Sequence, residues 1–186
     1  MQVYHGTFLE AADSIKHDGI LLSKCKPHTD FGKGFYVTEH REYAELSALK
    51  KARKSAAVGK ILIPAVVILE YDAVQGAYLE HCFSKENIEW LQFILNNRAG
   101  KKYISQLNLT FHNIFSEHEI VSGRIADQDI FFLANEFKKY PRLANENDLK
   151  NVVYRNNPYA TQISFHTTNA LKTLTYVDYY IVKEDA

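Results

Sequence analysis

The chain has 186 residues, 46% of them hydrophobic and 24% charged, which predicts a soluble globular domain large enough for a hydrophobic core. Its 22 basic and 22 acidic side chains cancel, which argues against a strongly electrostatic nucleic-acid-binding protein, although LKKARKSAAVGK at 49–60 is a local basic segment. Cys25 and Cys82 lack metal-ligand spacing, and a disulfide scaffold is not expected. With no signal-peptide pattern and no apolar run of bilayer length, we expect a cytoplasmic protein.

No repeat, low-complexity segment or flexible linker interrupts the chain, so we expect a single domain over residues 1–186. The N-terminal half is predicted to alternate strands with helices. These elements are a strand at 1–6, a helix at 9–18 stopped by Gly19, a strand at 34–38, a helix at 39–56, and a strand at 60–72 in which Pro64 suggests an edge position or a bulge.

The C-terminal half continues with a strand at 76–83 and a helix at 85–98 that Ser84 caps. A strand at 118–126 and a helix at 130–140, capped by Asp127 or Asp129, follow. The last predicted elements are a short helix at 146–155, a strand at 159–167, a short helix at 169–174 and a strand at 176–184. Strands and helices mix without strict βαβ alternation, which predicts an α+β fold with a sheet-based cleft.

The first candidate site segment is YHGT at residues 4–7. Gly6 follows His5 at the end of a strand, so a ligand can approach the backbone closely and bond its N–H and C=O. A neutral His5 can donate a hydrogen bond to a ribose hydroxyl. A core histidine followed by a turn glycine explains this tetrapeptide equally simply, and for the tetrapeptide alone that explanation is favoured.

The second segment is FGKGFYVT at residues 31–38, where Gly32 and Gly34 precede a strand that carries Tyr36. The glycines permit unusual backbone torsions and leave room above the strand, and the Tyr36 ring offers a face for stacking. The spacing does not fit a phosphate-binding P-loop. For this segment alone, a glycine turn before a strand with a packed tyrosine is again the favoured interpretation.

The third segment is ATQISFHT at residues 160–167, in which Gln162 begins a strand. Its amide can both donate to and accept from a hydroxyl, but it cannot act as a general base. The alternative is a surface-facing strand glutamine.

In this order the three segments resemble the ADP-ribosyltransferase superfamily, in the branch of diphtheria toxin and the poly(ADP-ribose) polymerases. The resemblance implies a split β-sheet with an NAD cleft and flanking helices. It also implies that His5 holds the adenosine-side ribose, that the Gly6 backbone clamps the nicotinamide amide, and that Tyr36 stacks on the nicotinamide. Gln162 matches the third position of the catalytic triad. The NAD-binding set implied in this way is His5, Gly6, Thr7, Gly34, Tyr36 and Tyr43.

The chain departs from the polymerase pattern at two points. Gln162 stands where a glutamate would polarise an acceptor hydroxyl, so polymer elongation is disfavoured and mono-ADP-ribosylation is expected. The second stacking tyrosine of the polymerases falls near Ser47, which leaves Tyr43 as its substitute. Asp127 is a candidate carboxylate on the acceptor side, whereas Trp90 and Arg98 are expected to be structural.

A closer resemblance is to a bacterial family of uncharacterised ADP-ribosyltransferase-like domains. It is carried by four segments: DFGKGFYVT, IEWLQFILNNR, EIVSGRIADQDIF and QISFHTTNAL. It implies an NAD-dependent transferase that needs no metal and modifies a protein or nucleic-acid acceptor. It also suggests the toxin of a toxin–antitoxin or phage-defence pair, with a small antitoxin protein as partner. The alternative is a catalytically degenerate module that binds NAD, another nucleotide or a protein partner. An RNA 2′-phosphotransferase of the same fold is less well supported, because phosphate-gripping histidines and arginines are missing from the motif positions.

Overall fold

The computed structural model of the protein describes residues 1–73, 77–126, 129–152 and 160–183. Helices and strands mix in these ranges as an α+β fold, as predicted. The strands are β1 (Gln2–Phe8), β2 (Phe35–Val37), β3 (Pro64–Tyr71), β4 (Glu80–Cys82), β5 (Ile120–Arg124), β6 (Thr161–Phe165) and β7 (Leu174–Ile181). The helices are α1 (Leu9–Asp18), α2 (Arg41–Ala56), α3 (Ile88–Ala99), α4 (Lys101–Leu107), α5 (Ile130–Lys139), α6 (Glu146–Val152) and α7 (Thr168–Leu171), with a short 3₁₀ helix at Leu22–Lys24.

The described strands form two sheets that meet at one point. A three-stranded antiparallel sheet has the order β1-β3-β7, and a four-stranded sheet has the order β2-β6-β5-β4, in which only β4 and β5 run parallel. An antiparallel bridge between Tyr4 of β1 and Thr38, just after β2, joins the two sheets. Beyond that bridge β1 and β2 part, so the sheet is split between the first two sequence motifs.

Three hydrophobic layers hold the sheets in place. One lies between the sheets, where Phe35, Ile163 and Phe165 of the four-stranded sheet pack with Val3 and Val67 of the three-stranded sheet. The outer face of the four-stranded sheet is covered by α3, α5 and the loop around Phe31. Helix α2 covers the outer face of the three-stranded sheet, with Ala44 and Ala48 against Val66. In the ranges that the structure describes, no helix has the length and apolar character that spanning a bilayer would require.

Several predicted details are confirmed or corrected by the local geometry. Gly19 ends α1 with φ 77°, as the sequence predicts. Pro64 begins β3, which lies in the middle of its sheet, so the predicted edge position is wrong. A proline at the first residue of a strand interrupts no interior ladder bond, and the register shift of β3 occurs instead between Ile68 and Leu69.

The caps of the later helices also differ from expectation. The cap of α3 is Asn87, whose side chain accepts a 2.8 Å bond from the Trp90 amide, so the predicted Ser84 cap is wrong. Asp129 precedes α5, as predicted, but its side chain makes no capping hydrogen bond. Helix α4 was not predicted, because a glycine with φ 86°, Gly100, separates it from α3 and only seven residues follow.

Candidate functional site

The two strand edges that face each other at the split carry the first two motifs. Tyr4 and Thr38 exchange both backbone hydrogen bonds, at 2.8 and 2.9 Å, so the N–H and C=O of Tyr4 point away from β3 and towards β2. Because backbone direction repeats every second residue in an antiparallel strand, the N–H and C=O of Gly6 point towards the same edge. By the same alternation, Tyr36 directs its backbone groups from β2 towards β1. The polar backbone of both motifs therefore lines the split.

His5 bridges this split. Its Nδ1 lies 2.6 Å from the Tyr36 carbonyl oxygen, and its ring stacks on Phe35 with centroids 4.4 Å apart. Burial, together with the positive charge of Lys51, lowers the pKa of His5 to about 3, so the imidazole is neutral at pH 7. Because a carbonyl can only accept, Nδ1 carries the proton and Nε2 is an acceptor. His5 is therefore suited to accept a hydrogen bond from a ribose hydroxyl. The sequence had led us to expect that His5 would donate this bond.

Tyr36 lies on the opposite face of β2 from Phe35 and the His5 ring. Its hydroxyl accepts from the Phe31 amide at 2.9 Å and lies 2.7 Å from the Gly32 carbonyl oxygen, to which it can donate. The ring is half-buried and roughly parallel to the Phe31 ring, with centroids 6.4 Å apart. Burial raises the pKa of Tyr36, so the phenol stays protonated. Tyr36 thus holds the glycine loop against the sheet, and one face of its ring is turned to Phe31.

Gln162 shares a face of the four-stranded sheet with Tyr36, since Tyr36 pairs with Ser164 and Gln162 lies two residues away. Its Nε2 donates a 2.8 Å hydrogen bond to Oδ2 of Asp30, a buried carboxylate. Oδ1 of Asp30 pairs with Nε of Arg98 at 2.5 Å. A carboxylate therefore lies next to Gln162, with one oxygen bonded to Gln162 and the other to Arg98.

The Asp30 contact also explains why an amide stands at position 162. A carboxylate there would face Asp30 at hydrogen-bond distance with only Arg98 to neutralise both, whereas an amide can donate. With Nε2 committed to Asp30, the Oε1 atom is the acceptor left for a ligand hydroxyl. Sequence reasoning missed this group because Asp30 lies in a loop and Arg98 near a helix end, and their pairing spans 68 residues.

Gly6 is required by the approach of α2 to β1. A Cβ at Gly6 would lie 2.0 Å from the Ala44 carbonyl oxygen, so no larger residue fits without moving the helix. Ala44, Ala48 and Lys51 follow one another at i, i+4 and i+7 on this face. Lys51 donates from Nζ to the Gly6 carbonyl oxygen at 2.5 Å. The backbone carbonyl that the resemblance assigns to the nicotinamide amide thus already holds an ammonium group.

Gly34 does not open a space for a ligand ring in this structure, contrary to the expectation for the glycine pair. A Cβ at Gly34 would lie 2.7 Å from Nδ1 of His166 and 2.8 Å from the Phe165 carbonyl oxygen. His166 Nδ1 also lies 3.0 Å from the Lys33 carbonyl oxygen, and burial lowers the pKa of His166 to about 4. The space above Gly34 is filled by the neutral His166 ring.

The remaining predicted residues are less closely grouped. Thr7 is buried on β1, opposite Ala65. Tyr43 lies in the first turn of α2 with its ring edge-on to His40, at a centroid distance of 6.3 Å. Asp127 lies outside the described residues. The structure therefore brings His5 and Gly6 to one edge of the split and Tyr36 to the other, with Gln162 on the Tyr36 side.

Two surface clefts lie elsewhere on the described part of the molecule. One is lined by residues 81–85 together with Asn87 and Glu89. The other is apolar, between α1, α7 and β7. Neither is lined by His5, Tyr36 or Gln162. In the described ranges no three histidine, cysteine, aspartate or glutamate side chains are grouped closely enough to hold a metal ion.

Comparison with known proteins gives one match. The family model described as "Protein of unknown function (DUF3990)" matches residues 1–176. No curated protein and no solved structure matches the chain.

Proposed function

The chain belongs to the uncharacterised family DUF3990, and we propose that it is an NAD-dependent mono-ADP-ribosyltransferase of the ADP-ribosyltransferase superfamily. NAD is the substrate, and a protein or nucleic acid is the acceptor. The observation that carries the proposal is the His5 Nδ1 contact to the Tyr36 carbonyl, which joins the first and second motifs across a split between two sheets. Two glycine-containing segments of unrelated structural purpose would not be expected to meet in this way.

The chemistry requires a rigid hold on the nicotinamide and on its ribose. The bond between the nicotinamide nitrogen and the ribose C1 breaks, and its electron pair stays on the nicotinamide, which leaves as a neutral molecule. A lone pair of the acceptor forms the new bond to C1, and the acceptor's proton passes to solvent or a base. Since the leaving group needs no protonation, catalysis relies on positioning and on stabilising an oxocarbenium-like transition state.

The residues at the split supply groups of the right kind for this task. The Gly6 N–H and C=O face the split and are available to an amide, because a carbonyl oxygen has two lone pairs and can accept from a ligand as well as from Lys51. The neutral His5 offers Nε2 to a ribose hydroxyl. Gln162 offers Oε1 to the nicotinamide-side ribose, with its orientation set by Asp30. The Asp30–Arg98 pair lies behind that amide and adds no net charge.

The proposal is tested by incubating the protein with NAD labelled in its adenylate phosphate, in the presence of a cell lysate. Transfer of the label to a macromolecule is expected for the wild type and for the exposed-residue control His17→Ala. It should be lost in His5→Ala and in Tyr36→Ala. Equal labelling in all four proteins would contradict the assignment. Mass spectrometry and nuclease digestion of the labelled material then identify the acceptor class.

A second candidate function is a non-catalytic module that binds NAD or another nucleotide. It is favoured because two groups that a transferase would use to hold NAD already make hydrogen bonds within the protein. The Gly6 carbonyl accepts from Lys51, and Gln162 Nε2 donates to Asp30. Calorimetry with NAD beside a turnover assay separates the two functions. Saturable binding without nicotinamide release, with and without lysate, would support the binding module.

The toxin assignment that the resemblance suggests is part of the same proposal. Expression of the wild type in bacteria should arrest growth, and His5→Ala should relieve the arrest. Harmless accumulation of intact wild type would contradict it. A small antitoxin protein is then sought by selecting genomic fragments that restore growth.

A further inference from the structure

Lys51 is a half-buried cation of α2 whose ammonium reaches the Gly6 edge of the split. Its ammonium donates to the Gly6 carbonyl oxygen. Within residues 1–73, 77–126, 129–152 and 160–183, no carboxylate comes within ion-pair distance of it. A buried charge without a counter-ion costs stability, and neutral contacts such as a backbone carbonyl offset only part of that cost. The packing of α2 therefore does not by itself explain why a lysine stands at position 51.

Two basic groups act electrostatically with Lys51. His5 is neutral at pH 7 because of burial and the Lys51 charge. Burial and, to a smaller extent, the positive charge of the exposed Lys26 lower the pKa of Lys51 to about 8. An anion bound to the Lys51 ammonium would provide the missing counter-charge.

We propose that Lys51 forms an anion subsite beside Gly6 that takes the diphosphate of a dinucleotide. This inference rests on the proposed function for the identity of the ligand as NAD, but the subsite itself requires only a nucleoside diphosphate. The Lys51 ammonium has three N–H donors, so it can keep its bond to the Gly6 carbonyl and donate to phosphate oxygens with the others.

The choice of ligand follows from the proposed function. The diphosphate of a dinucleotide joins its two riboses. The proposed function assigns His5 to the adenosine-side ribose and the adjacent Gly6 to the nicotinamide. A cation bonded to Gly6 therefore lies beside the residues assigned to both halves of the ligand.

The test is calorimetric titration of the full-length protein with ADP at pH 7, with adenosine as the phosphate-free probe. Lys51→Gln is expected to weaken ADP binding about 10- to 100-fold, as loss of one charge-assisted bond to phosphate predicts. It should leave adenosine binding unchanged. The matched control is Lys50→Gln, which removes the same charge from the neighbouring, exposed position of α2. Equal ADP affinity in the Lys51→Gln and Lys50→Gln variants would overturn the subsite.

The pH dependence of ADP affinity distinguishes an anion-binding Lys51 from a lysine with only a structural role. Because the anion binds the charged amine, ADP affinity of the wild type should be steady between about pH 7 and pH 8, where the terminal phosphate is already ionised, and fall above pH 8 as Lys51 loses its proton. Lys51→Arg keeps the charge at all these pH values and should remove the fall. A fall that persists unchanged in Lys51→Arg would contradict the assignment. Circular dichroism of each variant confirms folding.

The outcomes separate this inference from the proposed function. Nicotinamide release by the wild type, together with ADP affinity that does not depend on Lys51, overturns the subsite and leaves the transferase proposal standing. Lys51-dependent ADP binding in a protein that releases no nicotinamide supports the subsite and contradicts the transferase proposal.

Discussion

Replacing Gln162 by glutamate tests the local electrostatics of the site most sharply. The change keeps the shape of the side chain but sets a carboxylate against Asp30, where the wild type has a donating amide at 2.8 Å. Two carboxylates at this distance cannot both remain charged without a large cost. The introduced group is therefore expected to take up a proton and donate it to Asp30.

The size of the effect follows from the cost of that proton. A glutamate in the unfolded chain has a pKa of about 4.3, so keeping it protonated at pH 7 costs about 3–4 kcal/mol, at 1.36 kcal/mol per pKa unit. Because the folded-state pKa of the introduced group is raised, the destabilisation of Gln162→Glu should grow by about 1.4 kcal/mol per pH unit between roughly pH 4.5 and pH 7. Towards pH 4.5 it should become small.

Urea denaturation at several pH values measures this dependence. Gln162→Met is the matched control, since it loses the hydrogen bond without adding charge, and its cost of about 1–2 kcal/mol should not vary with pH relative to the wild type. In the double variant Asp30→Asn/Gln162→Glu, the donor and acceptor are exchanged, so part of the loss should be recovered. If Gln162→Glu and Gln162→Met lost the same stability at every pH, the account of the Asp30 contact would be refuted.

Three further predictions concern stability. Lys51→Met should raise the free energy of unfolding at pH 7 by up to about 3 kcal/mol, since the fold lowers the pKa of Lys51 from 10.5 to about 8. The gain should shrink between pH 8 and 10.5 in urea melts, because the wild type is stabilised there as its amine becomes neutral; a pH-independent difference would contradict this. Gly6→Ala should cost about 3 kcal/mol or more, or prevent folding, because its Cβ would overlap the Ala44 carbonyl; near-wild-type thermal stability would refute that packing. Tyr36→Phe should cost about 1–3 kcal/mol and expose the glycine loop to hydrogen exchange, because the Phe31 amide loses its acceptor; unchanged exchange at Phe31 would contradict that role.

Elements with strong local signals were predicted well from the sequence. The strand at β1, the helix ended by Gly19 and the α2 helix all match the structure closely. The sequence pattern that predicts each of these elements lies within a single segment of the chain. The central position of β3 could not be read in this way, because strand order depends on pairing partners far along the chain.

The chemistry of the candidate site was less accessible from the sequence. Motif order pointed to His5, Tyr36 and Gln162, but Asp30 meets Gln162 across 132 residues and has no motif of its own. Lys51 carried a weak signal, since it continues the Ala44–Ala48 stripe of α2 at the i+7 position. The sequence did not show that the space above Gly34 is filled, because the filling group, His166, comes from the end of a distant strand.

The central claim is tested most directly by chromatographic measurement of nicotinamide released from NAD by the purified protein with lysate present. The account predicts release by the wild type and by Tyr140→Ala, which alters an exposed tyrosine remote in sequence from the motifs. It predicts release near the uncatalysed level for His5→Ala and Tyr36→Ala variants that remain folded by circular dichroism. Release that is absent in the wild type, or equal in all four proteins, would contradict the claim that the split between β1 and β2 is an NAD-cleaving site.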